Sequence, residues 1–267
     1  MSRMFSLATL GGPVGRRLAR RRAWIDELPW SEPLPEDAIG ARVVWTRTAF
    51  SEYASAAAFA EIAAALLAAG APIDLVAAAG DFLVDEIVHT EVAARLAAAL
   101  GGAVALEVDL SRLVRPPTPA AARDPLLGAS ELIVRTSCVG ETLTVPMLKL
   151  ARRIAGSALI EAALTAIAGD ESSHAQLGWW FLDWAEPRLD DGMRAHLGEV
   201  AGAAIRSFAP LLHGDCRHSG LGVVACDRYD PAFTAALSRA VVRPLAARGI
   251  SVSVPELLTA EPGAGRA

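Results

Sequence analysis

Two short segments carry the same arrangement of metal-ligating side chains. One is Asp85-Glu86-Ile87-Val88-His89 and the other is Asp170-Glu171-Ser172-Ser173-His174, 85 positions further on. In a helix, the i, i+3 spacing puts each Glu and His on one face, close enough to share a cation. A single Glu-x-x-His arises readily by chance. Two of them, each preceded by Asp, arise by chance far less readily. Carboxylate and imidazole together suit iron or manganese better than the Cys-rich sets that favour zinc. His89 and His174 are two of only five histidines in the chain. The competing reading makes these residues ordinary charged groups on solvated helix faces.

Long helices must hold these groups. A helix is expected from about Thr46 to Ala69, ending at Gly70-Ala71-Pro72, and a second from Ile73 to Leu100, ending at Gly101-Gly102. Residues 103–129, with Pro116, Pro117, Pro119 and Pro125, read as a long connection. A third helix is expected over Ser130–Ala155, and a fourth from Gly156-Ser157 to near Pro187. A fifth is expected over Asp190–Leu212 and a last one over Pro231–Arg248. The expected organisation is an irregular N-terminal arm (1–45), a four-helix unit of two hairpins joined by the crossover (46–187), a C-terminal helical extension packed on it (188–250) and a tail (251–267).

Each hairpin should also offer a ligand from its first helix. Glu171 lies fifteen residues past Gly156 and Glu141 lies fifteen before it, so the two face each other across an antiparallel pair. In the first hairpin the turn is near Ala71, and the position mirroring Glu86 is Ala56. Glu52 lies one turn from it and Glu61 further off. Glu52 is favoured, because its interval to Glu86 (34 residues) resembles that of Glu141 to Glu171 (30), whereas Glu61 gives only 25. Four carboxylates and two neutral imidazoles carry −4, which two divalent cations would balance. Without cations, such buried carboxylates must be protonated or paired.

With Glu on two helices and Glu-x-x-His on two more, the sequence resembles the ferritin-like di-iron carboxylate superfamily over about residues 46–187. The resemblance implies an all-α, ferritin-like four-helix bundle with a long crossover between its second and third helices and added C-terminal helices. It implies a metal set of Glu52, Glu86, His89, Glu141, Glu171 and His174, holding two iron ions or a manganese–iron pair. The Asp before each Glu resembles the form seen in bacterial hydrocarbon monooxygenases and acyl desaturases. By that likeness Asp85 would orient His174 and Asp170 would orient His89. The expected function is an oxygenase or oxidase using O2 on a small organic substrate. The alternative is a ferroxidase or iron-storage protein. The Pro-rich crossover, and the roughly 45 residues before and 80 after the bundle, suit the alternative less well. No Cys-pair electron-transfer motif or dinucleotide-binding Gly loop is evident, so electrons would come from a separate reductase or from the substrate.

Small groups beside the ligand positions (Ala56, Ser137, Cys138 and Thr144) are candidate pocket residues, with close helix packing as the other reading. Pro146 should free the Thr142 carbonyl and produce a kink or bulge. Trp179, Trp180, Phe181 and Trp184 read chiefly as packing. Tyr53 points away from Glu52. His213, Cys216, His218 and Cys226 match no metal spacing of weight. The Arg run between Arg16 and Arg22 reads as a solvated arm.

Composition narrows the classes further. Apolar residues are 53 % of the chain and aromatics 6 %, and Ala alone is about a fifth. This is too apolar for disorder and favours helix over strand. The formal charge of −5 argues against a nucleic-acid partner. Three cysteines make no disulfide scaffold. No charge-free run reaches the ~20 residues of a spanning helix. A cytoplasmic protein without membrane contact is expected, and a homodimer is compatible with this reading.

Overall fold

The computed structural model describes residues 2–9, 12–35, 38–114, 118–119, 121–208, 220–224 and 226–253. It is mostly helical. Short helices α1 (Gly12–Ala19) and α2 (Ala23–Asp26) precede two long ones, α3 (Ile39–Ala68) and α4 (Ile73–Ala99). A third rod consists of α5 (Pro125–Ile133), a π-helical stretch (Val134–Glu141) and α6 (Thr142–Arg153). It is followed by α7 (Ala158–Ala185) and α8 (Asp191–Arg206). The last rod consists of α9 (Cys226–Ala236), a second π-helical stretch (Leu237–Val242) and α10 (Arg243–Ala247). Strands β1 (Arg3–Met4) and β2 (Glu107–Val108) pair antiparallel and tie the N-terminus to the crossover.

The long helices form two hairpins. α3 lies along α4, and the third rod lies along α7. α4 meets α7, and α3 meets α5. Their buried stripes have the 3.5-residue period of nearly aligned helices. On α4 the stripe runs Leu75, Ala79, Phe82, Glu86, His89, Ala93, Leu96. On α7 it runs Ile160, Leu164, Ile167, Glu171, His174, Gly178, Phe181. The ligating residues therefore occupy positions that apolar side chains fill elsewhere on the same helices.

Several boundaries differ from expectation for identifiable reasons. The third rod starts at Pro125, not Ser130. Asp124 caps it by accepting from the Leu126 and Leu127 amides, and Pro at the first helical position starts a helix rather than breaking one. α3 starts at Ile39, because no proline follows Pro35 to stop it. Residues 1–45 are accordingly not uniformly irregular. α8 ends at Arg206, and the last rod starts at Cys226 with Pro231 inside its first helix. Gly70 (φ 63°) adopts the left-handed conformation that closes α3.

α3 is long and apolar enough by length and composition to cross a membrane, which the search for charge-free runs overlooked. Its hydropathy comes largely from alanine. It carries Glu52 and Glu61 and packs along α4.

Candidate metal centre

The four rods bring six side chains to one level of the interior. Glu52, Glu86, His89 and Glu171 offer ligand atoms that all lie within 4.8 Å of one another, and so do Glu86, Glu141, Glu171 and His174. Glu86 and Glu171 belong to both groups. Glu86, His89, Glu141, Glu171 and His174 are buried, and Glu52 is half-buried. Glu61, the alternative on α3, is not in the cluster and faces a separate cleft on the crossover side.

Both imidazoles turn Nδ1 inward. His174 Nδ1 lies 3.0 Å from Glu86 Oε1 and 3.0 Å from Glu171 Oε2. His89 Nδ1 lies 3.1 Å from Glu171 Oε1 and 3.8 Å from Glu86 Oε2. The outward Nε2 atoms cross over to the opposite motif. His89 Nε2 meets Asp170 Oδ2 at 3.2 Å, and His174 Nε2 faces Asp85 Oδ2 at 3.5 Å. The His89–Asp170 contact is a hydrogen bond of the kind that sets ring orientation and tautomer, whereas the His174–Asp85 approach is a charge contact without an aligned hydrogen bond. Asp85 is held in turn by Arg21, whose guanidinium reaches Asp85 at 2.5 Å and Asp81 at 2.6 Å.

A cation fits this site on a structural test. Besides the outward Nε2 of His174, both carboxylate oxygens of Glu86 and Nδ1 of His89 are buried without an aligned hydrogen-bond partner. Buried acceptors left this way cost ~1–3 kcal/mol each, more when charged. The Glu86 oxygens and His89 Nδ1 lie among the other ligand atoms. A cation there would supply their missing partner.

Proton affinities show how the cluster balances itself with protons instead. Burial, with Glu86 and Glu171 beside it, pushes the Glu52 carboxyl well above its usual range. Burial, with Glu171 and Glu86, does the same to Glu141. Burial alone would also raise Glu171, but hydrogen bonds from His174 and His89 outweigh it and hold that carboxylate below its usual range. Burial disfavours charged imidazole, yet the acidic neighbours prevail. Asp170, Glu171 and Glu86 hold His89 well above its ordinary value, and Asp85, Glu171 and Glu86 push His174 up to about 12. These protons occupy the places a metal requires.

The π-helical stretch ends at Glu141. Thr142 Oγ1 donates to the Ser137 carbonyl, five residues back, at 2.9 Å, and Thr144 Oγ1 donates to Gly140 O at 3.0 Å. This distortion is not the one expected at Pro146: it ends before Thr142, and α6 (Thr142–Arg153) runs through Pro146 as one helix. Extra-wide turns of this kind recur at functional sites.

Beside the cluster lies a pocket of about 330 Å³ with Glu52 and Thr144 in its wall. Of the small residues proposed as pocket groups, only Thr144 lines it. Ala56, Ser137 and Cys138 are buried in packing. Cys138 sits against Gly178 of α7, where a Cβ would come within 2.7 Å of its sulfur, and burial pushes its thiol pKa up. Small side chains there serve close helix approach. Phe181 is core, while Trp184 and Trp179 lie under the guanidinium groups of Arg188 and Arg248. Tyr53 packs on Phe5. The Arg run is not simply a solvated arm, since Arg21 and Arg22 pair with α4 carboxylates. Arg21 gave no sequence signal, because its partner is 64 residues away. His213, Cys216 and His218 lie outside the described residues, as does the side chain of Cys226.

No protein-family model matches the chain, and no curated protein or solved structure matches it.

Proposed function

We propose that the chain is a ferritin-like di-iron protein, with manganese–iron as the variant metal pair, that uses O2 to oxidise a small organic substrate. The observation that carries this reading is the pair of overlapping ligand groups sharing Glu86 and Glu171. Glu52 and His89 complete one position, and Glu141 and His174 the other. Two such metals, when bound, supply a pair of electrons to O2. The chain's own residues do the rest. Asp85 and Asp170 fix the imidazoles with Nδ1 inward. The seam residues around the cluster keep water away from it. Glu52, half-buried at the pocket, is the carboxylate that substrate would meet.

Insertion of one oxygen atom into a C–H bond consumes O2, two electrons and two protons and releases water. For that insertion the two electrons would come from a separate reductase; only a reaction that takes all four electrons of O2 reduction from the substrate would need none. The pocket beside Glu52 favours an enzyme over a storage protein, whose cargo is the ion itself. The test is anaerobic Fe²⁺ loading followed by O2, with and without reductant. Optical change on O2 addition and consumption of reductant beyond two electrons per chain support an oxygenase. Assembly into a large multimer that takes up hundreds of irons would overturn it.

A further inference from the structure

The pocket beside Glu52 is built along one direction. On α3 its wall comes from Val44, Thr48 and Glu52, spaced i, i+4, i+8. On α7 it comes from Leu164 and Ile167, just before Glu171, and on α6 from residues just after Glu141, such as Thr144 and Ala151. All three helices thus contribute residues on the same side of the cluster. The pocket runs from Glu52 toward one end of the bundle for two helical turns, about 12 Å at ~1.5 Å per residue. Its far wall comes from outside the bundle: Phe208 after α8, residues 222–224, and Tyr229 and Phe233 of α9. Gly222 (φ 90°) lies flat on Trp45, where a Cβ would come within 2.6 Å of the indole. The Trp45 indole N–H donates to Leu221 O at 2.8 Å and holds that wall in place.

The wall chemistry is selective. Among the described residues it contains no Lys, Arg or His, and its one charged side chain is Glu52. Trp45 and Thr144 spend their donors on backbone carbonyls. In the metal-free chain, an anionic ligand would meet no cationic partner among the described wall residues, at a cost of several kcal/mol. A volume of about 330 Å³ drawn out over that length admits one slim molecule. It falls at the small end of ligand pockets, ~300–1,000 Å³.

We propose that this pocket binds a free, uncharged, slim apolar molecule lengthwise, with its inner end at Glu52, and that Phe208 and residues 222–224 set the length it accepts. As the substrate site this rests on the proposed oxygenase function. As a binding site it stands alone. The test titrates the full chain, metal-free and iron-loaded under anaerobic conditions, with 1-octanol and with octanoate of the same chain length. Calorimetry gives affinity and stoichiometry. One octanol per chain is expected in both forms, and in the metal-free form octanoate should bind at least tenfold more weakly. Ala151→Phe and Val224→Trp should each weaken octanol at least tenfold while metal content stays unchanged. If either variant fails to fold, intermolecular NOEs from octanol to the Thr48 and Thr144 methyl groups of the unmodified chain decide the location. Equal affinity for octanoate in the metal-free chain, unchanged binding in folded variants, or absence of those NOEs overturns the proposal. Octanol binding by a chain that takes up no metal would sink the oxygenase reading and leave the pocket standing.

Discussion

The two halves of the cluster use the same residue types in different surroundings. In the half formed by Glu141 and His174, the imidazole is packed against Phe59 and Phe82, with ring centroids 5.2 and 4.4 Å away. Its outer partner Asp85 is 16 % exposed and clamped by Arg21. In the half formed by Glu52 and His89, the outer partner Asp170 is 43 % exposed, and Glu52 opens onto the pocket. A near-symmetric motif thus yields one sealed half and one accessible half. Sealing removes solvent screening, so the same charge contact counts for more in the first half than in the second. Under the proposed function, the sealed half would anchor the site and the open half, facing the pocket, would be where substrate approaches.

The sharpest way to break this comparison is to remove a residue common to both halves. Glu86→Ala should take metal content from two ions per chain to fewer than one, whereas His174→Ala or Glu141→Ala should each leave about one, with far-UV circular dichroism still helical. Two ions retained in His174→Ala would show that the halves are not divided as described. A smaller effect should separate the two aspartates. Outer-shell losses typically cost ~10–100-fold in metal affinity. Asp85→Ala should fall toward the upper end of that range and Asp170→Ala toward the lower, measured by competition with a chelator. Arg21→Ala should weaken only the sealed half, by less than Asp85→Ala does.

The difference between what was and was not legible follows the same division. Glu86 with His89, and Glu171 with His174, lie three residues apart on one helix, so helical geometry alone puts them together. Glu141 and Glu52 followed from counting back from a turn, and Glu52 was found one turn away from the mirror position. Arg21 and the far wall of the pocket were hidden, since both depend on segments that fold back over 60 or more residues. The π-helical stretch was not legible, since the distortion expected at Pro146 lies C-terminal to it and the close approach of Cys138 to Gly178 within it joins residues forty positions apart. Pro125 was misread because its effect depends on whether it begins a helix or interrupts one.

The smallest expected effect is on pH dependence. The imidazoles of the metal-free chain hold protons above their ordinary values, His174 up to about 12. Metal must displace them from Nδ1. Apparent metal affinity should therefore rise with pH through the neutral range, and loading should release protons, at least the two imidazole protons, visible as a buffer-dependent heat. Release should fall by about one proton in His174→Ala. Loading without proton release would contradict the assignment of both histidines as ligands.

The central claim is that the interior holds two metal ions on six side chains. Its most direct test is metal analysis of the full chain after anaerobic loading with Fe²⁺ and removal of loosely held ions. The structure predicts two ions per chain, with fewer than one in Glu86→Ala. Fewer than one ion in the unmodified chain would contradict it.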